Sequence, residues 1–284
     1  MEKNSMSNTY QKLLDRLKPY KKAAVAFSGG VDSTFLLAAC KDALGEENVI
    51  GYIGRSPSYP QREMDEAVEL AQTLNVPFEI IDTEELNNPD FASNPPTRCF
   101  HCKTTLFQKI KDRAAMINIE HIFEGSNGDD VGDFRPGMDA ARKLNVIAPL
   151  RDLKITKNEI RTMSKEMGLG TWNKPAAACL SSRIPYGQDI TIEKLGRIET
   201  AENFLKDLGY KHLRVRDHDT IARIEVPPDS IALLAESKTR VEIVEALKKA
   251  GYKYVTLDLE GYRTGAMNET LTHAEQQKAR TQGR

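Results

Sequence analysis

The chain has 284 residues, of which 40% are hydrophobic and 29% are charged, and its formal net charge is -1. A chain of this length can bury a core without disulfide staples, and its charge balance leaves no basic surplus to hold a polyphosphate backbone. We therefore expect a globular protein without a stable nucleic-acid partner.

The amino-terminal stretch MEKNSMSNTYQ is polar, and no run approaches the roughly 18 apolar residues that a membrane helix needs. These features predict a cytoplasmic protein without a membrane partner. Thiols stay reduced in that compartment, so cysteines close together in sequence more often bind metal or react than form structural disulfides.

Short apolar runs alternate with amphipathic stretches in the first half of the chain. Four runs are typical of buried strands, at residues 22–27, 49–54, 78–83 and 121–126. The apolar residues that recur at helical spacing between these runs are Val68, Ala71 and Leu74, and then Leu106, Ile110, Ala114 and Ile117. This alternation predicts an α/β fold with a parallel sheet covered on both faces.

The regular pattern ends after one more helix. That helix is predicted to open at a capping box, Thr156 with Glu159, and to close at Gly168. The stretch that follows, NKPAAACLSSRIPYGQ at residues 173–188, has small residues, two prolines and a glycine, and no periodicity. It predicts an ordered loop or a domain hinge.

A second, smaller domain is predicted beyond this loop. Its elements are a long helix ended by Gly209, a hairpin from 212–216 and 222–227, a helix near 238–249 and a last strand at 254–259. We predict one domain over residues 1–180 and a C-terminal α+β domain for substrate binding or oligomerisation over residues 188–284. The residues from about Glu269 are expected to form a frayed helix or tail.

The strongest motif is AVAFSGGVDST at residues 24–34. A buried strand runs through Ser28, Gly29 and Gly30 directly into a helix, so backbone amides of a glycine turn and a helix N-terminus converge on one point that attracts phosphate. Ser28 and Ser33 offer hydroxyls, and Asp32 is suited to holding Mg²⁺. The alternative is an ordinary turn in which Asp32 and Ser33 only cap the helix.

The motif lacks the lysine of a Walker A loop, and it resembles the PP-loop of the ATP pyrophosphatases. The resemblance implies that ATP is cleaved between its α and β phosphates, that AMP is attached to a carbonyl oxygen of the substrate, and that a nucleophile then displaces AMP. The 1–180 domain is accordingly predicted to be a PP-loop ATP pyrophosphatase domain.

Three of the four cysteines are candidates for binding a metal or for reacting. Cys99 and Cys102 lie at the predicted start of a helix, where the helix dipole and the neighbouring Arg98 and Lys103 favour thiolate, and Cys179 lies in the irregular loop. The remaining cysteine, Cys40, reads as core. Three thiolates are one short of a closed zinc or iron-sulfur site, so they would leave one iron of a cluster open.

Two alternatives stay open for these cysteines. One is a structural zinc site completed by a histidine, for which His101 is badly placed, and the other is a redox pair formed by Cys99 and Cys102. We favour the cluster with an open iron.

Further polar residues are candidates for binding nucleotide or substrate. In EGSNGDD, Gly125 ends a predicted strand at the carboxyl edge of the sheet, where α/β folds bind ligands. The candidates near that edge are Ser126, Asn127 and Asp130, although Asp129 and Asp130 are equally suited to a turn.

The second domain offers arginines for an anionic substrate. Arg214 and Arg216 project from one face of a strand and Arg223 lies in its partner, a set that suits a phosphate with carboxylates unless the face is only solvated. Ser182 and Arg183 follow Cys179 and offer phosphate donors, although Arg183 is equally suited to pinning the loop. Glu202 and Glu225 fit either a second metal or substrate site or simple salt bridges.

Five stretches together resemble the LarE-type ATP-dependent sulfur transferases of nickel-pincer nucleotide biosynthesis. They are AFSGGVDST, EGSNGDDVGDFRPG (124–137), SSRIPYG (181–187), LRVRDHDTIARIE (213–225) and YVTLDLEGYRTGAMN (254–268). The resemblance implies adenylation of a carboxylate on pyridinium-3,5-biscarboxylate mononucleotide, its conversion to a thiocarboxylate, and a second round on the other carboxylate. It also implies a homo-oligomer, with a hexamer as one form.

Within that family, the cysteine pattern implies a particular source of sulfur. The best-known form has one cysteine before SSR and gives up its own sulfur, ending as dehydroalanine, whereas this chain has Cys99 and Cys102 in addition to Cys179. This pattern is similar to the three-cysteine branch, for which a [4Fe-4S] cluster carrying hydrosulfide on its free iron is implied. The expected cofactors are therefore ATP, Mg²⁺ and this cluster, and the expected partners are the nucleotide substrate and a sulfide donor.

Two other functions are kept as alternatives. A tRNA thiolase of the same superfamily would show a basic groove and salt-dependent binding, and a non-catalytic adenine nucleotide-binding module would bind nucleotide yet release no pyrophosphate.

Overall fold

The structure, a computed structural model, describes residues 2–130, 136–176, 178–263 and 265–272. The chain forms two compact units. The first comprises the chain up to Glu85 and the residues from Cys99 to 176, and the second comprises Leu86–Arg98 and the residues from Ala178 onward. None of the helices in the described ranges combines the length and apolar character needed to cross a membrane.

The first unit alternates strands and helices. In chain order its elements are α1 (Glu2–Leu17), β1 (Ala23–Ala26), α2 (Val31–Leu44), β2 (Val49–Arg55), α3 (Gln61–Thr73), β3 (Phe78–Asp82), then, after the helix α4 (Pro89–Ala92) of the second unit, α5 (Arg98–Met116), β4 (Ile122–Phe123), α6 (Pro136–Lys143), α7 (Pro149–Asp152) and α8 (Lys157–Glu166). All four predicted strands are present, and so are the predicted helices between them.

The four strands form one parallel sheet in the order β3-β2-β1-β4. Successive side chains of a strand point to opposite faces, and the two faces pack into separate clusters. Ala23 and Val25 of β1 pack with α1, α2 and α8, whereas Ala24 packs with Phe107 and Ile110 of α5. The prediction of an α/β fold with a sheet covered on both faces is therefore confirmed, and β1 lies at its centre.

Helix α8 begins as predicted. The Thr156 hydroxyl accepts a hydrogen bond from the Glu159 amide at 3.3 Å, while the Glu159 carboxylate accepts one from the Thr156 amide at 2.8 Å. This is the reciprocal capping box that satisfies amides at a helix start. It holds the first turn of α8 in a defined place beside the edge of the sheet.

The second unit is an α+β arrangement, as predicted. Its elements are α4, α9 (Ile192–Asp207), β5 (Arg214–His218), β6 (Ile221–Glu225), α10 (Pro228–Ala235), α11 (Ser237–Lys249) and β7 (Tyr254–Leu257). Strands β5 and β6 form an antiparallel hairpin, and β7 pairs in parallel with β6. Residues of α9 and α11, among them Leu205 and Leu247, pack with Val215 and Ile224 into its core.

An early segment of the chain folds with the second unit. The Asn94 side chain donates to the carbonyls of Ile184 and Pro185 at 3.1 and 2.8 Å, and the Ala92 carbonyl accepts from the Ile190 amide at 2.8 Å. The second unit is thus assembled from two separated pieces of chain. The boundaries at residues 180 and 188 stay a prediction.

Some helix ends and faces differ from the periodic pattern. Ile117 lies just beyond the end of α5 and is 45% exposed, and Ile192 at the start of α9 is 70% exposed. Both lie at helix termini, where an apolar residue can match the period without reaching the core. The predicted tail begins in a short 3-10 helix, Ala266–Thr270, and the chain from residue 273 lies outside the described residues.

Candidate active site

The phosphate loop, defined here as residues 28–33, joins the central strand β1 to the start of α2. Gly29 has φ of +61°, and a Cβ built there would lie 2.8 Å from the Cβ of Ala67 on α3. Both the left-handed backbone and the close approach of α3 require glycine. The loop therefore turns tightly against α3 and leaves its amides at the N-terminus of α2.

Two serine hydroxyls brace the loop internally. The Oγ atoms of Ser28 and Ser33 lie 3.1 Å apart, and the Ser28 amide donates to Ser33 Oγ at 3.2 Å. Ser33 is buried, whereas Ser28 is exposed. The pair holds the two ends of the loop together, and Ser28 stays accessible to a ligand.

Two side chains outside the loop bind its carbonyls. The Tyr59 hydroxyl donates to the Ser28 carbonyl at 2.6 Å, and Lys174 Nζ donates to the Gly29 carbonyl at 3.2 Å. Lys174 Nζ also lies 2.7 Å from carboxylate oxygens of both Glu63 and Glu66.

The protonation states suit these contacts. Burial raises the pKa of the Tyr59 phenol, so this group stays a donor. Burial by itself would lower the pKa of Lys174, but Glu63 and Glu66 outweigh it and raise that pKa above its ordinary value.

Asp32 has a cationic partner that the sequence did not indicate. Its Oδ2 atom accepts from Lys157 Nζ at 2.7 Å and from Asn127 Nδ2 at 3.3 Å. Its Oδ1 atom is buried and has no hydrogen-bond partner among the described residues. A buried carboxylate oxygen without a partner beside a turn of amides fits a divalent cation that accompanies a polyphosphate.

The end of β4 packs against the first turn of α2. A Cβ on Gly125 would lie 3.0 Å from the backbone nitrogen of Ser33, so the strand and helix approach each other more closely than a side chain allows. The Asn127 amide donates to Asp130 Oδ2 at 2.9 Å, and the Lys157 amide donates to Asp129 Oδ2 at 2.8 Å. Asp129 and Asp130 therefore order this turn, and the ordered turn brings the Asn127 side chain within hydrogen-bond distance of Asp32.

An ion pair between a buried carboxylate and a partly exposed lysine lies beside the same edge. Lys103 Nζ, on α5, lies 2.9 Å from Glu124 Oε2, and Glu124 is 4% exposed. Burial by itself would raise the pKa of Glu124, but Lys103, Ser126 and Arg151 outweigh it and hold this pKa below its ordinary value. Glu124 is therefore ionised near neutral pH.

The candidate cysteines divide between the two units. Cys99 and Cys102 lie in the first turn of α5 and belong to the first unit, as the prediction of a helix start requires, and Cys179 belongs to the second. Lys103, expected to favour thiolate there, is already paired with Glu124. Cys40 is fully buried in the core, as predicted.

Within the ranges that the structure describes, no group of three or more histidine, cysteine, aspartate or glutamate side chains is arranged to hold a metal ion.

Arg183 holds the chain that follows Cys179. Its guanidinium makes a bidentate pair with Glu202, with both contacts at 2.8 Å, and its Nη1 atom donates to the carbonyls of Ala178 and Cys179 at 2.7 and 2.8 Å and to Ser182 Oγ at 2.9 Å. Arg183 and Glu202 are both buried. These contacts match the second role suggested for Arg183, in which it pins the loop rather than binds a phosphate.

The strand arginines of the second unit differ in their surroundings. Arg216 is buried and makes a bidentate pair with Glu225 at 2.8 and 2.7 Å, and its Nη1 atom donates to the Ser182 carbonyl at 2.8 Å. Arg223 also reaches Glu225, at 3.0 Å. Burial and the positive charge of Arg183 lower the pKa of Arg214, whose guanidinium lies 5.2 Å from the ring centre of Tyr262.

Sequence reasoning missed the residues that reach the phosphate loop from a distance in the chain. Lys157, Lys174 and Tyr59 come from three different elements or connections, and Lys157 stands 125 positions from Asp32. The capping box at Thr156 was a signal for a helix start, but not for the direction of the Lys157 side chain.

A central parallel strand that passes through a glycine turn into a helix, without a Walker lysine, is the arrangement of the ATP pyrophosphatases, and the chain is of this class. The family model described as NAD synthase matches residues 7–93, which contain the phosphate loop. An NH(3)-dependent NAD(+) synthetase of Methanopyrus kandleri is 38% identical over 34% of each chain.

Relatives of similar length match most of the chain. An uncharacterised protein of Synechocystis sp. is 41% identical over 88% of this chain and 93% of its own, and the pyridinium-3,5-bisthiocarboxylic acid mononucleotide synthase of Lactiplantibacillus plantarum is 35% identical over 93% of this chain and 95% of its own. The chain belongs to the family of this synthase, the LarE family, and is an ATP-utilising sulfur transferase.

Proposed function

We propose that this enzyme converts a carboxylate of pyridinium-3,5-biscarboxylate mononucleotide into a thiocarboxylate, and then repeats the reaction on the second carboxylate. The observation that carries the proposal is the likeness to the bisthiocarboxylic acid mononucleotide synthase over 93% of the chain. The phosphate loop supports it, because a carboxylate must be activated before sulfur can replace one of its oxygens.

The first step is adenylation. A carboxylate oxygen attacks the α phosphorus of ATP, the bond to the bridging oxygen breaks, and pyrophosphate leaves. The amides of Gly29 and Gly30 and the hydroxyls of Ser28 and Ser33 would bind the departing phosphates. Asp32 would hold the accompanying Mg²⁺ through Oδ1, which has no hydrogen-bond partner among the described residues. Gly125 permits the close packing that brings Asn127 onto Asp32.

The second step is sulfur transfer. Hydrosulfide sulfur attacks the acyl carbon, AMP leaves with the original carboxylate oxygen, and the sulfur proton is lost to solvent. Hydrosulfide is already anionic near neutral pH, so positioning of the two reactants supplies most of the rate. The balance of the reaction requires one ATP and one sulfide for each carboxylate.

We propose that Cys99, Cys102 and Cys179 hold a [4Fe-4S] cluster. Thiolates are the ligands that such clusters take, and two cysteines three positions apart in the first turn of α5 lie on one helix face. When bound by three thiolates, the cluster would supply an iron position open to an exogenous sulfur ligand. Cys99 is exposed and Cys179 is half-buried, so the chain leaves both accessible.

The substrate phosphate and carboxylates are assigned to the second unit. Ser182 and Arg214 are proposed to contact them, and Arg183 and Arg216 to take part through the frame that they build with Glu202 and Glu225. Glu202 and Glu225 act in this proposal as partners of arginine rather than as ligands of a second metal.

The reaction is tested by following pyrophosphate release and the mass of the pyridinium nucleotide. Release that requires both ATP and the dicarboxylate, together with a gain of about 16 mass units per exchanged oxygen when sulfide is supplied, supports the proposal. Asp32→Asn should lower the rate at least about 100-fold, while Asp65→Asn, on the exposed face of α3, should not. Release that instead requires tRNA would show a thiolase.

The cluster is tested by anaerobic purification with iron and labile sulfide analysis. About four of each per chain support it, and each of Cys99→Ala, Cys102→Ala and Cys179→Ala should lower that iron content while Cys40→Ala does not. Zinc without iron would contradict the cluster. A chain with neither iron nor zinc would favour a redox pair or a cysteine that gives up its own sulfur.

The proposal also covers the localisation, oligomeric state and partners of the enzyme. We place it in the cytoplasm as a homo-oligomer with no nucleic-acid or membrane partner, supported by the family resemblance and the balanced charge of the chain. Sedimentation velocity of the purified chain measures the oligomeric state, and a monomer at micromolar concentration would contradict it.

A further inference from the structure

The orientation of peptide planes decides which way the amides of a phosphate loop point. In a trans peptide the carbonyl oxygen and the next residue's N–H lie on opposite sides. A side chain that holds the carbonyl of one residue therefore also directs the N–H of the following residue.

Two consecutive peptide planes of the phosphate loop are held in this way. Tyr59 donates to the Ser28 carbonyl at 2.6 Å, which directs the Gly29 N–H away from Tyr59, and Lys174 donates to the Gly29 carbonyl at 3.2 Å, which directs the Gly30 N–H away from Lys174. Neither amide donates to another group within the part of the chain that the structure describes. Both are therefore available to an anion.

Glycine makes this external hold necessary. Gly29 has no side chain to limit its backbone, and glycine adopts positive and negative φ with similar ease. A loop of two adjacent glycines has several ways of orienting its amides, so an external hold can select one that presents both to a phosphate group.

Lys174 is itself held firmly. Its side chain is 14% exposed, and its ammonium group lies between Glu63 and Glu66 on α3. Arg161 of α8 donates to the carbonyls of Trp172 and Lys174 at 2.8 and 2.9 Å, which fixes the backbone on which Lys174 stands. The arrangement places a cation behind the loop, on the carbonyl side, rather than on the side of the ligand.

We propose that Tyr59 and Lys174 are positioning residues that orient the Gly29 and Gly30 amides of the phosphate loop toward the pyrophosphate portion of ATP. The inference deepens the proposed function and rests on ATP being the ligand of this loop. Neither residue touches the reacting atoms, and both act through the peptide planes that they hold.

The test is calorimetric titration of the full chain with Mg²⁺-pyrophosphate, Mg²⁺-ATP and AMP. Tyr59→Phe removes one hydroxyl oxygen, and Lys174→Met removes the ammonium group from a side chain of similar length. Each should weaken pyrophosphate and ATP binding about tenfold. A factor of this size corresponds to the free energy of roughly one hydrogen bond from an amide to an anion, which is weakened when the amide is no longer held in place. AMP lacks the β and γ phosphates, and its affinity should change less than about twofold.

Two further variants separate positioning from general damage. Lys174→Arg keeps a cationic donor and should recover most of the lost affinity, and Lys165→Met, an exposed lysine of α8 that lies over the Trp172 ring, should match the unsubstituted chain. Equal weakening of ATP and AMP, or unchanged pyrophosphate affinity in Tyr59→Phe, would overturn the inference.

The outcome is distinguishable from failure of the proposed reaction. These titrations contain no pyridinium substrate and no sulfide. If the chain binds pyrophosphate with the expected differences between variants and yet forms no thiocarboxylate, the proposed reaction fails while the roles of Tyr59 and Lys174 stand.

Discussion

Arg183 shows how one buried side chain can organise a candidate site. A guanidinium presents five donors in a fixed plane, and those of Arg183 are directed at a carboxylate, two carbonyls and a hydroxyl. A buried ion pair of this kind is costly to break, because removing one partner leaves the other charged and out of water.

Arg183→Met should therefore destabilise the chain by about 3–5 kcal/mol, because it leaves the Glu202 carboxylate buried without its partner. Urea unfolding followed by circular dichroism measures this loss. Arg240→Met, which removes an exposed arginine of α11, is the matched control and should change the free energy of unfolding by less than about 0.5 kcal/mol. A loss below about 1 kcal/mol for Arg183→Met would show that Glu202 finds another partner.

The pair of Glu124 and Lys103 predicts a dependence of stability on pH. The folded-state pKa of Glu124 lies below its ordinary value of 4.5, so the pair contributes stability that is fully present above that pH and is lost as pH falls through the lower folded-state value. Glutamine carries a neutral amide that does not titrate, so Glu124→Gln should remove this contribution at every pH.

Comparison of the two chains by urea unfolding between pH 7 and pH 3 tests this prediction. The unsubstituted chain should be more stable by about 1–3 kcal/mol at pH 7, and the difference should shrink below pH 4.5. Glu120→Gln, at an exposed position shortly before β4, should give a small difference at all pH values. A difference that stays constant down to pH 3 would contradict the assignment.

At the scale of elements, the contact between β4 and α2 depends on one missing side chain. Gly125 lies where the strand end meets the first turn of the helix, and the nearest atoms are backbone atoms of Asp32 and Ser33 that cannot rotate away. The absence of a side chain at Gly125 therefore determines both how β4 packs against α2 and where the phosphate loop lies.

Gly125→Ala should displace the first turn of α2, because the new methyl group would lie 3.0 Å from the Ser33 nitrogen. We expect a loss of stability of about 1–3 kcal/mol and weaker ATP binding, measured by thermal unfolding and by calorimetry. Gly196→Ala in α9 is the matched control, since the new group would meet no described atom within 4 Å apart from the nearby backbone of its own helix, and helix propensity favours alanine by up to about 1 kcal/mol. Equal effects of the two changes would refute this account of Gly125.

Periodicity identified most elements of the fold. The strand runs and the Thr156 capping box predicted β1 to β4 and α8, because burial on both faces and capping leave local marks in the sequence. Helix α1, whose first half is polar, was not predicted, and neither were α10 and the short helices α4, α6 and α7. Four to eight residues hold too few turns for a helical period to stand out from chance.

At the scale of the whole molecule, the second unit is built from two pieces of chain that lie far apart in sequence. Asn94 and Ala92 bind backbone groups of Ile184, Pro185 and Ile190, and Phe91 is 2% exposed. A domain boundary drawn only after the irregular loop would leave the segment from Leu86 to Arg98 out of the second unit.

A fragment that begins at residue 178 should consequently be less stable than one to which residues 86–98 are joined by a flexible linker. Thermal unfolding of the two fragments measures the difference, which should be at least about 2 kcal/mol because several backbone groups lose their partners. Substituting Asn94 by alanine in the joined fragment should reproduce part of the loss. Fragments of equal stability would show that the segment is dispensable.

The sequence by itself determined the α/β class, the phosphate loop with Asp32, and the family, because each rests on residues that are adjacent or regularly spaced. Only the tertiary structure showed that Lys157 binds Asp32, that Tyr59 and Lys174 hold the loop carbonyls, and that Arg183 and Arg216 are bound to glutamates. The reason is that local patterns encode backbone conformation, whereas the partner of a long polar side chain depends on which distant elements the packing of the core brings beside it.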